Sequence, residues 1–186
     1  MRKSNRKDRG TDAGGWCAMP PRDAYRSWMA ETGSLTQRIR RACPADAPFA
    51  VHVLRQESAT ALQDEYPLLH LRPGRNTTVR EVLLLSGARA VVFAHTVALR
   101  GAGGRLLNRV GGRSLGSVLF SDPRVHAGTL RFRSVDARHP LYRAARCHAM
   151  NTPARLWARR ALFRKGHALL LVTEVFLPAI LELHKP

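Results

Sequence analysis

Two pairs of long apolar runs, each turning back at a glycine, constrain this chain more than any other feature. "TTVREVLLLS" and "ARAVVFAHTVAL" meet at Ser86-Gly87, and "ARLWARRALFRK" and "HALLLVTEVF" meet at Lys165-Gly166. Runs rich in β-branched and aromatic residues that join at a glycine are the signature of β-hairpins. Alternation along the second hairpin places Trp157, Arg159, Ala161 and Phe163 on one face of its first strand. On its second strand, Leu170, Val172, Glu174 and Phe176 share a face.

Shorter signals fill the rest. Phe49, Val51 and Val53 alternate, as do Leu130, Phe132 and Ser134, so each set predicts a strand. Tyr25, Trp28 and Met29 have helical spacing, and Ser34 with Gln37 forms a capping box. Glycine clusters bracket Leu106-Leu107, and Ser114 is a second helix start, which predicts two short helices in a glycine-hinged loop. Asp136 to Ala149 is polar and reads as loop or short helix. This order predicts an α+β fold, a single antiparallel sheet of about six strands with short helices covering one face. Strands do not alternate with long helices, which disfavours a doubly wound nucleotide fold. At 186 residues one domain is expected, with a flexible basic tail over 1–20, the domain over 21–180 and a C-terminal tail over 181–186.

The apolar runs are broken well short of the ~20 residues a membrane span needs, and the basic N-terminus leads into no apolar signal core. Cys17, Cys43 and Cys147 form no CxxC pair, which fits reduced thiols in a cytoplasmic protein. The net charge of +18 lies mostly outside the first fifteen residues, so it is spread through the fold and favours anionic partners in general. Aromatics are only 6% of the chain and no base-stacking motif is present, so nucleic acid is not the expected partner.

Motifs for other chemistries are missing. In "GAGG", residues 101–104, Leu106 stands where a GxGxxG loop wants glycine, and no GK[ST] follows. The eight histidines form neither HxxxH nor HExxH, and Cys147-His148 has no further ligands at metal spacing. No GxSxG elbow supplies a nucleophile. Two charges interrupt apolar strands instead. Arg80 shares a face with Thr78, Val82 and Leu84, and Glu174 stands among Leu170, Val172 and Phe176. A carboxylate stranded in an apolar interior costs several kcal/mol, so it has a partner, a shifted pKa or a ligand. A buried ion pair, two edge positions and a ligand site all satisfy the pattern.

The segments "GSLTQRI", "VREVLLL", "RSLGSVLF", "LWARRALF" and "LLLVTEVFLP", in this order and spacing, resemble the chorismate pyruvate-lyase family over roughly residues 24–178. The resemblance implies conversion of chorismate to 4-hydroxybenzoate and pyruvate, supplying the ring precursor of ubiquinone, by a monomer that uses no metal or organic cofactor. It assigns catalysis and ligand contact to Arg80 and Glu174, and further ligand contacts to Leu35 and Leu115. Those two leucines each follow a serine at a helix start, where backbone amides receive an anion. The chain departs from the family pattern at Ala94-His95, where Gly-Arg is usual, and at Ala158 and Ala161 within "LWARRALF", where LWGRRS is usual. Trp157 is read as core and Arg159 as surface charge. The alternatives are a sensor domain of the same fold without catalysis, and a basic nucleic-acid-binding protein.

Overall fold

In the computed structural model, which describes residues 14–183, all strands join one antiparallel sheet. Its members are β1 (Phe49–Thr60), β2 (Asn76–Ser86), β3 (Arg89–Ala98), β4 (His126–Ala127), β5 (Arg131–Asp136), β6 (Arg155–Lys165) and β7 (Ala168–Phe176). They lie in the order β1-β2-β3-β7-β6-β4, with β5 also on β6. There are thus seven strands where about six were expected. The difference is the edge, which is divided between β4 at Phe163 and Arg164 and β5 over 155–160. Both sequence hairpins form. Ser86 pairs with Arg89 and Lys165 with Ala168. Gly87 and Gly166 take φ of 56° and 54°, the positive first position of a glycine-led two-residue turn. The antiparallel β3–β7 pair joins the two hairpins into one sheet and sets Ala94 opposite Glu174.

Helices α1 (Arg26–Met29), α2 (Leu35–Ala42), α3 (Ala102–Val110) and α4 (Leu115–Leu119) cover one face. Trp28, Met29, Leu35 and Ile39 meet Val82, Leu84, Val92 and Phe176 there, while Leu106, Leu107 and Leu119 meet Ala98, Ala161, Phe163 and Leu170. The opposite face is covered too. Helix α5 (Pro140–Arg146) buries Leu141, Tyr142 and Ala145 against Leu83, Phe93 and Val175, and Ala61 and Leu69 close over Val97 and Leu171. Covering on both sides explains why β3 and β7 are apolar at nearly every position instead of alternating.

Of the expected tails, 1–20 and 181–186, the described residues include 14–20 and 181–183. Residues 1–13 and 184–186 lie outside the described residues, but Trp16 is 1% exposed and donates its indole N–H to Asp64 at 2.8 Å. The Arg160 guanidinium lies over the Trp16 ring, and Cys17 pairs with Phe132 through backbone bonds. A 3-10 helix, Pro178–Glu182, buries Ile180, and Leu183 follows it into the core. Among the described residues no helix is long and apolar enough to cross a membrane.

Candidate active site

Between the helical layer and the sheet lies a cavity of about 520 Å³, a volume suited to a small organic ligand. Arg80 and Glu174 both open onto it, but not as partners. Glu174 accepts from Arg159 Nε at 2.6 Å, and the two residues are directly opposite in the β6–β7 register. Arg159 is 4% exposed and therefore not the surface charge that its sequence setting suggests. Its Nη1 also donates to the carbonyl oxygens of Met29 and Glu31, at 3.1 and 2.5 Å, and its guanidinium lies over the Phe176 ring. One arginine thus fixes the acid and holds the α1–α2 connection, with its orphan carbonyls, against the sheet. Its signal was present in the sequence: Arg159 and Glu174 stand six residues before Lys165 and six after Ala168, so the hairpin register itself pairs them.

Arg80 is 3% exposed and is bonded only to neutral oxygens. Its Nη1 donates to Gln56 Oε1 at 2.8 Å and its Nη2 to the Arg113 carbonyl at 3.2 Å. Burial pushes the guanidinium down from its ordinary value, and no carboxylate lies within ion-pair distance of it among the described residues. A desolvated cation on a cavity wall without a counter-ion is an arrangement that an anionic ligand completes.

The two helix starts converge on the same space. Ser34 Oγ accepts from Gln37 N–H and Ser114 Oγ from Ser117 N–H, so each cap takes an amide beyond the first helical residue. The amides of Leu35 and Leu115, as first helical residues, have no acceptor within their helices. A Cβ built on Gly116 would stand 2.9 Å from Thr36 Oγ1, which shows how closely the two starts approach. Leu115 lines the cavity. Leu35 turns into the core at 2% exposure and is not part of the cavity wall, which its neighbour Thr36 joins instead. Of the departures, Ala94 and Ala161 line the cavity and Ala158 is buried on the opposite face.

A second charged group lies behind the sheet, missed in the sequence because each member stands alone there. His95 is buried between Glu81, 2.9 Å from Nδ1, and Glu65, 3.4 Å from Nε2. Arg55 donates to both carboxylate oxygens of Glu81, at 2.6 Å to Oε2 and 2.9 Å to the Oε1 that also meets His95. Burial alone would push His95 down, but the two carboxylates outweigh it and carry it up to about 9. Burial likewise opposes ionisation of Glu81, and the bonds from His95 and Arg55 outweigh it and bring the group down to about 2. Arg80 and Glu81, like Ala94 and His95, are neighbours on one strand, so this network backs the strands whose front faces form the cavity.

Fold and site together define a single-sheet α+β domain enclosing an anion-receptive cavity of metabolite size. The fold recurs in the C-terminal domain of PhnF, at 12% identity and TM-score 0.56, over 72% of this chain and 85% of that one. It recurs also in the C-terminal domain of the histidine utilization repressor from Pseudomonas syringae pv. tomato, at 10% identity and TM-score 0.54, over 70% and 92%. At such identities only the fold is shared. The model of the chorismate lyase family matches residues 18–185. A probable chorismate pyruvate-lyase of Azoarcus sp. is 46% identical over 90% of this chain and 93% of its own length. The corresponding protein of Thiobacillus denitrificans is 47% identical over 84% and 83%. The chain belongs to the chorismate lyase family.

Proposed function

We propose that the protein converts chorismate to 4-hydroxybenzoate and pyruvate, with Arg80 and Glu174 as the residues that act on the substrate. The observation that carries this reading is Arg80, a buried cation bonded only to neutral oxygens and facing a cavity that also receives two helix starts. Chorismate has two carboxylates. The amides of Leu35 and Leu115 hold the ring carboxylate, and Arg80 grips the enolpyruvyl side near the ether oxygen. Glu174, held by Arg159, accepts a hydrogen bond from the C4 hydroxyl and fixes the ring. The ether C–O bond breaks, the C–H electron pair at C4 completes the aromatic ring, and the proton lost from C4 is balanced by one gained at the enolpyruvyl methylene, so that the fragment leaves as pyruvate. Positioning within the cavity supplies much of the acceleration of such an elimination.

The reaction so placed supplies the ring precursor of ubiquinone from the cytoplasm, with the chain acting as a monomer. Purified protein incubated with chorismate is expected to release pyruvate and 4-hydroxybenzoate in equal amounts. Binding of 4-hydroxybenzoate without any pyruvate release would instead make the cavity a sensor site.

A further inference from the structure

Gln56 on β1 is the register partner of Arg80 on β2, so the two side chains share the front face of the sheet. A guanidinium has only donors, whereas an amide has an acceptor oxygen and a donor nitrogen. By donating to Gln56 Oε1, Arg80 therefore sets the direction of that amide and turns its nitrogen outward. Gln56 Nε2 in turn donates to Asn108 Oδ1 at 2.7 Å, and Asn108 lies on α3. A second tie runs from Arg80 Nη2 to the carbonyl of Arg113, in the connection between α3 and α4. The segment they hold is hinged at both ends of α3 by glycines at positive φ, Gly101 at 88° and Gly111 at 55°, a conformation other residues rarely adopt. A Cβ at Gly111 or Gly112 would meet nothing within 4 Å, so the packing that buries Leu106, Leu107 and Val110 of α3 ends at this glycine pair and does not extend into the α3–α4 connection.

We infer that Gln56 is a positioning residue that seats the Arg80 fork in the cavity and, through Asn108, latches the α3 segment to it. Seating of the α3–α4 connection and placement of Arg80 are then one event, because one guanidinium holds both the Gln56 amide that reaches Asn108 and the carbonyl of Arg113. The functional side of this inference rests on the reading of Arg80 as a ligand contact, while the latch is a property of the protein without ligand.

Hydrogen exchange on the ligand-free full chain tests the latch. Gln56→Ala and Asn108→Ala are each expected to speed exchange across 102–113 roughly tenfold, the effect of losing one such hydrogen bond, with the double variant no faster than either single one. Amides of β3 and β7 are expected to exchange as in the parent protein. Unchanged exchange in α3, or effects that add in the double variant, would overturn the latch. In steady-state assays Gln56→Ala is expected to raise the KM for chorismate roughly tenfold, and Gln56→Glu at least as much, because a carboxylate beside Arg80 competes with that of the substrate. A parental KM in Gln56→Ala would overturn the positioning role. Full turnover by Arg80→Ala would sink the functional reading and leave the exchange result standing, so the two failures are distinct.

Discussion

Glu174 and Arg80 face one cavity, yet Glu174 is bonded to an arginine at 2.6 Å while Arg80, among the described residues, has only neutral acceptors. The two charges thus differ in what they do for the fold. Glu174 with Arg159 is a completed ion pair, and Arg80 is an incomplete one.

Arg80→Ala is expected to abolish useful turnover and to leave the melting temperature unchanged or raised, since no carboxylate among the described residues pairs with the desolvated cation. Arg80→Lys keeps the charge without the planar fork and is expected to recover little. Calorimetry beside steady-state kinetics checks both. A large drop in melting temperature for Arg80→Ala would mean that the arginine serves the scaffold.

The ion pair behaves in the opposite way. Arg159→Met strands Glu174 and frees the carbonyls of Met29 and Glu31, and is expected to lower stability by about 3 kcal/mol, the lower end for a broken buried pair because the Glu174 side chain keeps 17% exposure. In a Glu174→Gln background the same change should cost clearly less, as denaturant unfolding of the four proteins would show. Glu174→Gln itself separates two roles. A kcat loss on the order of 10² would mean proton handling, whereas a smaller loss shared with KM fits the orienting role proposed above.

His95 imposes a pH dependence on stability. Its folded value, about 9, is above its ordinary value, so its contribution is complete below about pH 6.5 and is lost as pH rises through about 9. Glu81, brought down to about 2, contributes above its ordinary range near 4.5 and loses that contribution as pH falls toward 2. Urea unfolding between pH 6.5 and 9.5 is expected to show a decline on the order of 3 kcal/mol that is absent in His95→Gln. An identical slope in both proteins would assign the decline to other groups.

Gly116→Ala tests the convergence of the two helix starts. The new methyl group would press on Thr36 Oγ1 at 2.9 Å, so the Thr36 side chain on the cavity wall must turn or α4 must move from α2. A fall in kcat/KM of roughly 10- to 100-fold is expected from such a displacement, with weaker inhibition by 4-hydroxybenzoate. Unchanged kinetics would remove the helix starts from the site.

Local rules made much of this protein legible in its sequence. Glycine at Gly87 and Gly166 sets each turn, and alternation gives the faces of Arg80 and Glu174, so both hairpins follow from short-range chemistry; the register runs unbroken from Gly166 to Glu174, whereas a bulge at Leu84-Leu85 shifts that of the first hairpin before it reaches Arg80. The caps at Ser34 and Ser114 are equally local. What folding alone decided depends on contacts between distant residues. The β3–β7 pairing that sets Ala94 beside Glu174, the turning of Leu35 into the core and the meeting of Gly116 with Thr36 have no signal in any short window. Arg159 stands at the boundary between the two. Its pairing with Glu174 was implicit in the hairpin register, but its burial was not, because burial is imposed by the α1–α2 connection laid over it from the far end of the chain. His95 is the extreme case, a lone histidine on an apolar strand until the fold brings Glu65 and Glu81 to either side of its ring.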